Sequence, residues 1–496
     1  MRLKKLIESA GYPPNDKFCD FEVKGVTSDS RKVSEGFIFV AVKGTAFDGH
    51  NFIREAVQRG AKAVVFQDTG YRLPQTQKIS YIKTDDTRNS LADLSAAFWG
   101  HPSSSMKLVG ITGTNGKTTV SYLIESILKY AGCEPAVIGT INYRFKGRVF
   151  NAGNTTPGSA ELQALLARMR EDKVDFVIIE VSSHALDQER VRAVRFCSGI
   201  FTNLSPEHLD YHRDIRSYFI AKSKLFRELP QDAFAILNID DACAPELAEL
   251  TQSRVITYGL GSGADVCAKD FKFSLEGTEL ALCPRTVTGK VFPEGINGIN
   301  INSSLIGKHN LYNILAAATF GLTRKIEPEI IKAGIEKFSG VPGRLEKIST
   351  GRDFYVFVDY AHTEDALKNV ITSLRPLCRG RLYVVFGCGG NRDKAKRPEM
   401  GKVASELTDF AIITTDNPRS EEPARIIEDI VSGINRRNFK AVIDRRDAIK
   451  EALSRAGKDD IILVAGKGHE NYQIFKDKVI NFDDREVVRE CLDLKS

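Results

Sequence analysis

GITGTNGKTTV, from Gly110 to Val120, decides the reading of the fold. The apolar run Lys107 to Ile111 leads into it as a strand, and TVSYLIESILKY continues from it. There Val120, Leu123, Ile124, Ile127 and Leu128 fall at i, i+3, i+4, i+7 and i+8, one apolar face of a helix. Strand, glycine-rich loop and helix in that order make a phosphate cradle, because loop amides and a helix N-terminus both face an anion. In this reading Lys117 reaches the β- and γ-phosphates and Thr118 holds magnesium. The glycines space as GxxGxxGKT, with Ile111 where the stricter GxxxxGK(S/T) pattern has glycine. A plain glycine turn before a helix is the alternative.

The 496 residues are too many for one core and suggest about three domains. Apolar content of 42% and charged content of 27% are ordinary for a globular chain. The net charge of +6 comes without a Lys/Arg block or basic helix, which argues against nucleic acid as a partner. Nine cysteines are scattered with no CxxC pair, which argues against a zinc ribbon or disulfide framework and fits a reducing cytosol. In MRLKKLIESAG, Glu8 and Gly11 interrupt any apolar core, so no signal peptide is read. No window reaches the apolar length of a membrane span.

Three blocks follow. Residues 1–103 carry Phe37 to Val42 and Ala63 to Phe66 as strands and Phe52 to Val57 as a helix, a small α/β unit. HPSSSM, His101 to Met106, reads as a linker. Residues 104–340 hold the cradle, a buried strand at Phe176 to Ile179 and another at Ile200-Phe201. Val266 to Lys290 alternates irregularly, as antiparallel β does, and GVPGR breaks the pattern near Gly340. Residues 341–496 hold four apolar runs, Phe354 to Val358, Leu382 to Phe386, Phe410 to Ile413 and Ile461 to Ala465. Helical patterns such as Ala366, Leu367, Val370, Ile371 and Leu374 separate them, giving a second open α/β sheet. Ligands bind beyond the carboxyl ends of such strands. The segments DYAHT, GCGGNRDKAKRP, TTDNPR and GKGHE are therefore expected along one edge.

Several side chains carry two readings each. Glu180 ends a buried strand, where a carboxylate needs a cation; magnesium is one partner, a salt bridge to Arg190 or Lys117 the other. His208 and His212 stand four apart and suit a metal face or ordinary hydrogen bonding. Lys222 lies in a helical stretch, where a solvated lysine is ordinary. Asn310 reads as a helix cap or a nucleotide contact. Arg419, in TTDNPRSEEP, selects a carboxylate, or else caps a surface turn or pairs with Glu421 or Glu422.

GTNGKTT, NTTPGS, EVSSHALDQERV, NLSPEHLDYH, GKHNLYN, VPGRLE, VDYAHTEDAL, FGCGGNRDKAKRP, DNPR and GKGHE stand in one order along nearly the whole chain. In that order they resemble the Mur ligase family, the ATP-dependent amino-acid-adding enzymes of peptidoglycan synthesis. The resemblance implies three α/β domains. A small N-terminal one (1–103) binds the UDP-substrate, a central P-loop-type one with a mostly parallel sheet (104–340) binds ATP, and a C-terminal Rossmann-like one (341–496) binds the amino acid. It implies an acyl-phosphate mechanism, with UDP-MurNAc-L-Ala-D-Glu, meso-diaminopimelate and ATP as substrates and Mg2+ as cofactor. L-Lys or another diamino acid is the alternative amino acid. A folylpolyglutamate synthase-like ligase or a non-catalytic nucleotide-binding protein is a remoter alternative. A cytoplasmic monomer without membrane insertion is expected.

Residue by residue, the resemblance implies that Gly113, Thr114, Asn115, Gly116, Lys117, Thr118, Thr119, Asn310, Arg344 and Asp359 bind ATP. Thr118 and Glu180 hold one magnesium. His208 and Lys222, the latter as N6-carboxylysine, hold a second, and Lys117, His208 and Lys222 form the catalytic set. Ser30, Thr45, Ala46, Phe47, Asn154, Thr155, Thr156, Ser182, Gln188 and Arg190 match contacts to the UDP-MurNAc-dipeptide. Arg392, Asp416, Asn417, Pro418, Arg419, Gly466 and Glu470 match the diaminopimelate pocket. Arginine binds a carboxylate bidentately, which suits selection of a distal carboxylate that L-Lys lacks.

Overall fold

The computed structural model describes residues 1–13, 15, 18–44, 47–68, 70–74, 79–261, 263–285 and 298–493. Among them the strands form sheets of four, eleven, six and two. Gly25–Thr27, Phe37–Val40, Ala63–Phe66 and Ser80–Lys83 lie parallel in chain order. Their side chains alternate between two cores, as strand geometry requires. Ile38, Val40 and Val65 pack with Leu3, Leu6 and Leu94, while Phe39 and Val64 pack with Ile53 and Ala56. The expected linker is partly a helical turn, Pro102–Ser105. Proline suits that first position, where its missing N–H is not needed.

In the eleven-stranded sheet, Lys107–Thr112 sits between Phe196–Phe201 and Phe176–Glu180, parallel to both. Parallel pairing continues outward through Phe234–Asn238 and Arg254–Gly259 on one side and Pro135–Ile138 on the other. Antiparallel strands finish both margins. One margin contains the expected irregular β stretch, as the hairpin Val266–Ser274 and Gly277–Pro284; positions 286–290 of that stretch lie outside the described residues. Helix Lys117–Tyr130 buries Val120, Leu123, Ile124, Ile127 and Leu128, the expected face. Lys308–Thr323 and Pro328–Glu336 cover it.

The six-stranded sheet contains all four expected runs. Ile461–Ala465 pairs in parallel with Tyr355–Asp359 and with Leu382–Phe386, and Phe410–Ile413 follows outside. The last strand to arrive thus inserts beside the first, and a crevice opens beyond the carboxyl ends at such a reversal. Arg445 and Asp484 form an ion pair with both side chains at 0% exposure. Arg445 Nη2 also donates to the Ala465 carbonyl (2.9 Å), so the pair fastens two helices to a strand end. No helix of the described residues is long and apolar enough to cross a membrane.

Asp484→Ala leaves a guanidinium buried and unpaired, a loss of about 3–5 kcal/mol. A clearly lower urea midpoint is expected. Arg445→Met combined with Asp484→Leu removes both charges and is expected to recover much of that loss. A single variant as stable as the parent chain would contradict the account.

Candidate active site

The cradle is shaped by two glycines. Gly113 has φ +146° and Gly116 φ +91°. A Cβ at Gly113 would lie 1.9 Å from Thr202 Oγ1, and one at Gly116 2.4 Å from Asn313 Oδ1, so neither position accepts a side chain. Gly110, also in the motif, is buried inside the strand beside Phe196 and Leu225 and serves sheet packing. Lys117 Nζ donates to the carbonyls of Gly113 (2.9 Å) and Thr114 (2.8 Å). Lys222 Nζ donates to the same Gly113 carbonyl (2.8 Å) and lies 4.3 Å from the Tyr218 ring centre. Lys222 is 2% exposed, so it is no solvated surface lysine. Burial, and then the charge of Lys117, drives its pKa well below the ordinary lysine value. Burial lowers that of Lys117 as well. Lys224 is engaged elsewhere, in an ion pair with Glu189 (2.6 Å).

Neither salt bridge considered for Glu180 forms among the described residues. Its carboxylate accepts from the hydroxyls of Thr118 and Thr140, both at 2.9 Å, and from the Thr140 N–H at 3.2 Å. Hydroxyl and carboxylate oxygens are hard ligands of the kind Mg2+ takes beside substrate phosphates and water. His208 has φ +57° and precedes the short helix Leu209–His212, so it shares no helix face with His212. The His212 ring bonds Ser183 Oγ (2.9 Å). His208 packs against His184, ring centres 4.9 Å apart, and burial pushes His184 down to about 4. Among the described residues no group of three or more His, Cys, Asp or Glu side chains is arranged to hold a metal by itself.

Beyond the same strand end, Thr156 Oγ1 donates to the Glu180 carbonyl (2.7 Å) and accepts from the Ser182 N–H (3.1 Å). Arg190 donates to the Thr156 carbonyl and to Gln188 Oε1, each at 2.8 Å. Thr155 meets Thr140 through their hydroxyls (3.2 Å), and the exposed Asn154 accepts from the Tyr143 hydroxyl. Ser30 belongs to the four-stranded unit, where it donates to Glu55 (2.9 Å). Phe47 is 74% exposed, and Thr45 and Ala46 lie outside the described residues.

A cleft of ≈ 660 Å³ runs between the two large sheets. It brings Thr114 to Thr119 together with Asn310, Arg344 and Asp359. Asn310 is not a helix cap. Gly307 occupies that position, and Asn310 donates to the Ile306 carbonyl (2.9 Å) while accepting from Asn313 (3.0 Å). Arg344 stacks 4.4 Å from the Tyr360 ring centre, and its buried Nε has no partner among the described residues. Asp359 accepts from the Leu345 and Ala361 N–H groups, and burial raises its pKa. Two acids here were not singled out in the sequence. Asp365 accepts from Asn115 Nδ2 (3.1 Å) and Ser205 Oγ (3.0 Å), which ties helix Glu364–Leu374 to the cradle. Glu207 is pushed up by burial, but Lys117 and His208 outweigh that and hold its pKa low. Both sit inside quoted motifs, and nothing local distinguishes them.

At the far end of the crevice Asp416, Asn417 and Pro418 are buried and Arg419 half-buried, with φ +55°. Asn417 Nδ2 donates to Glu470 (2.8 Å), which also pairs with the buried Lys467 (3.1 Å). A Cβ on Gly466 would lie 3.0 Å from Asp416 Oδ2, so that loop presses on this one. Arg392 is exposed. Arg419 donates to the Gly390 carbonyl (2.8 Å), and among the described residues it pairs with no carboxylate. The alternative pairing with Glu421 fails because Arg397 holds both oxygens of that carboxylate, each at 3.0 Å.

A phosphate cradle on one sheet, facing the strand ends of a second that presents an unpaired guanidinium, is the build of a nucleotide-driven ligase. Residues 111–321 match the Mur ligase middle domain, residues 343–468 the Mur ligase glutamate ligase domain and residues 22–99 the Mur ligase family catalytic domain. Relatives named UDP-N-acetylmuramoyl-L-alanyl-D-glutamate–2,6-diaminopimelate ligase occur in Syntrophomonas wolfei, 40% identical, and, as ligase 1, in Clostridium acetobutylicum, 43% identical. Each match covers 99% of both chains. A solved structure of a ligase with that name is 31% identical, with a TM-score of 0.67 over 95% of each chain. The chain belongs to the Mur ligase family.

Arg397 holds the Glu421 carboxyl down at about 2, against 4.5 ordinarily. A carboxyl lowered in the folded state adds stability in full above about pH 4.5 and loses it as pH falls through about 2. The stability gap between the parent chain and Glu421→Gln is therefore expected to narrow over that interval in urea titrations. A gap constant from pH 7 to pH 3 would refute it.

Proposed function

We propose that the chain joins meso-diaminopimelate to the D-Glu carboxylate of UDP-MurNAc-L-Ala-D-Glu at the expense of ATP. The single observation that carries this reading is Arg419, a half-buried guanidinium at the crevice without a carboxylate partner among the described residues. Relatives at 40% and 43% identity across the whole chain support it through the activity in their names.

A carboxylate and an amine do not condense in water, so an oxygen must first become a leaving group. In the proposed sequence the D-Glu carboxylate attacks the γ-phosphorus and ADP leaves. The amine then attacks the acyl phosphate, gives up a proton, and inorganic phosphate is expelled. Two anions must meet in the first step, which calls for fixed cations around them. Lys117 exchanges the Gly113 and Thr114 carbonyls for the β- and γ-phosphates. Asn310 meets the nucleotide from helix Lys308–Thr323 of the first sheet, and Arg344 and Asp359 close on it from the second. Thr118 and Glu180 would hold one Mg2+, and His208 with Lys222 a second; bound there, the metal neutralises phosphoryl oxygens. Lys222 fits an N6-carboxylysine, because carbamate formation needs a neutral amine and burial shifts Lys222 toward that form. Asn154, Thr155, Thr156, Ser182, Gln188 and Arg190 would orient the muramoyl dipeptide, and Ser30 with Phe47 the uridine end. Arg392 and Arg419 would bind the distal carboxylate of the amino acid, and Asp416 and Glu470 its ammonium, against Asn417, Pro418 and Gly466. Unit boundaries near residues 103 and 340, a cytoplasmic location and a monomer complete the proposal.

ATP-dependent phosphate release with the UDP-dipeptide is expected with meso-diaminopimelate and to be far slower with L-Lys. Arg419→Ala should lower kcat/KM for meso-diaminopimelate on the order of 100-fold, the scale of about 3 kcal/mol for stripping a partner from a buried charge. Equal rates for the two amino acids would return Arg419 to a structural role. Lys222→Ala should lower kcat at least about 100-fold, as loss of an electrostatic catalytic group does, while the chain still folds. Near-normal turnover in that variant would remove the carbamate from the scheme.

A further inference from the structure

We infer that Glu421 is a positioning residue for the incoming amino acid, acting through Arg419 and resting on the function proposed above. Two loops carry the guanidiniums assigned to the amino acid. One follows strand Leu382–Phe386 and bears Arg392; the other follows Phe410–Ile413 and bears Arg419. They are zipped together at several points. The Gly390 N–H donates to the Asn417 carbonyl (2.9 Å). Asn391 Oδ1 accepts from the N–H (3.1 Å) and hydroxyl (2.8 Å) of Ser420. The backbones approach so closely that a Cβ on Gly390 would lie 1.9 Å from the Pro418 carbonyl oxygen.

Glu421 is the pin of this zipper. Its carboxylate accepts the Asn391 N–H from the first loop and both terminal nitrogens of Arg397. Arg397 is fully buried and also bonds Asp429 (2.8 Å) and the Gly389 carbonyl (3.3 Å). One carboxylate thus fixes the loop of Arg392, the loop of Arg419 and helix Lys396–Leu407 against one another. The arrangement has a second effect. Glu421 stands two residues from Arg419 and is the nearest acid along the chain. Bidentate capture by Arg397 keeps it off Arg419, whose guanidinium stays available for a carboxylate from outside. The pair therefore acts by position and not by direct bonding, since among the described residues the Arg419 guanidinium bonds the Gly390 and Asn417 carbonyls.

Steady-state kinetics on the full chain test this. Glu421→Ala is expected to raise KM for meso-diaminopimelate about tenfold or more. KM for ATP should stay within about twofold and kcat within about threefold. In an Arg419→Ala background the same change should add less than about twofold, because contacts that act as a unit are not additive. Glu421→Asp, with a shorter carboxylate still able to meet Arg397, should recover part of the KM. An unchanged KM for meso-diaminopimelate, a parallel rise in all Michaelis constants, or full additivity with Arg419→Ala would overturn the inference. If Glu421→Ala does not fold, Asn391→Ala, which loosens the same zipper, carries the same expectations and the same refutations. A parent chain that releases no phosphate with meso-diaminopimelate would instead refute the proposed function, so the two failures are distinct.

Discussion

Lys117 and Lys222 donate to one carbonyl oxygen, that of Gly113. Two buried ammonium groups sharing a single peptide dipole are stable only if their charge is reduced or an anion arrives. Burial lowers both pKa values, and Glu207 supplies partial relief. The cradle is thus held in a state that a polyphosphate completes. Much of the surrounding structure follows from this requirement. Glycine at 113 and 116 lets Thr202 and Asn313 approach the loop from neighbouring elements. Glu180 is kept from the lysines by three bonds to Thr118 and Thr140.

The second sheet answers the first. Asp365 anchors the first helix of that sheet to Asn115 of the cradle, and Arg344 and Asp359 are delivered to the cleft from either side of the strand Glu346–Ile348. The loops bearing Arg392 and Arg419, assigned above to the amino acid, lie at the same sheet's switch point, so Arg344, Asp359 and the Arg419 loop share one rigid support. Chemistry that must bring a phosphoryl group and an amine to one carboxylate benefits from that shared support, because misplacement of reacting atoms by an ångström is costly.

How much of this was legible in the chain depended on range. The cradle, its helix face and the four C-terminal strands were readable, because strand and helix periodicities are local. The order of motifs carried the family. Pairings across distance were not readable. Asn310 looked like a cap because asparagine often is one, yet Gly307 takes that place and the Asn310 side chain bonds the Ile306 carbonyl and Asn313. Glu421 looked like a partner for Arg419 two positions away; Arg397, twenty-four positions off, captures it first. Lys222 could be told from Lys224 only by its motif, whereas the fold separates them by aiming one at Gly113 and pairing the other with Glu189. Asp365 carries no local signal, since its partners Asn115 and Ser205 lie in another block, and Glu207 meets Lys117 across ninety positions of its own block.

The ion pair of Arg445 with Asp484 bears on the order in which the molecule becomes competent during synthesis. Every strand and helix of the nucleotide cradle precedes residue 340, and domains fold as units as they emerge. The amino-acid crevice is different. Arg445 braces the end of strand Ile461–Ala465 only once Asp484 neutralises it, and the Arg419 backbone is held by Ile474. Until the ribosome has delivered residue 484, the six-stranded sheet stays unbraced, while the glycine-rich loop and the sheet that carries it are already complete. Premature termination would therefore leave a fragment with the glycine-rich loop formed and the opposing wall of its cleft unsupported.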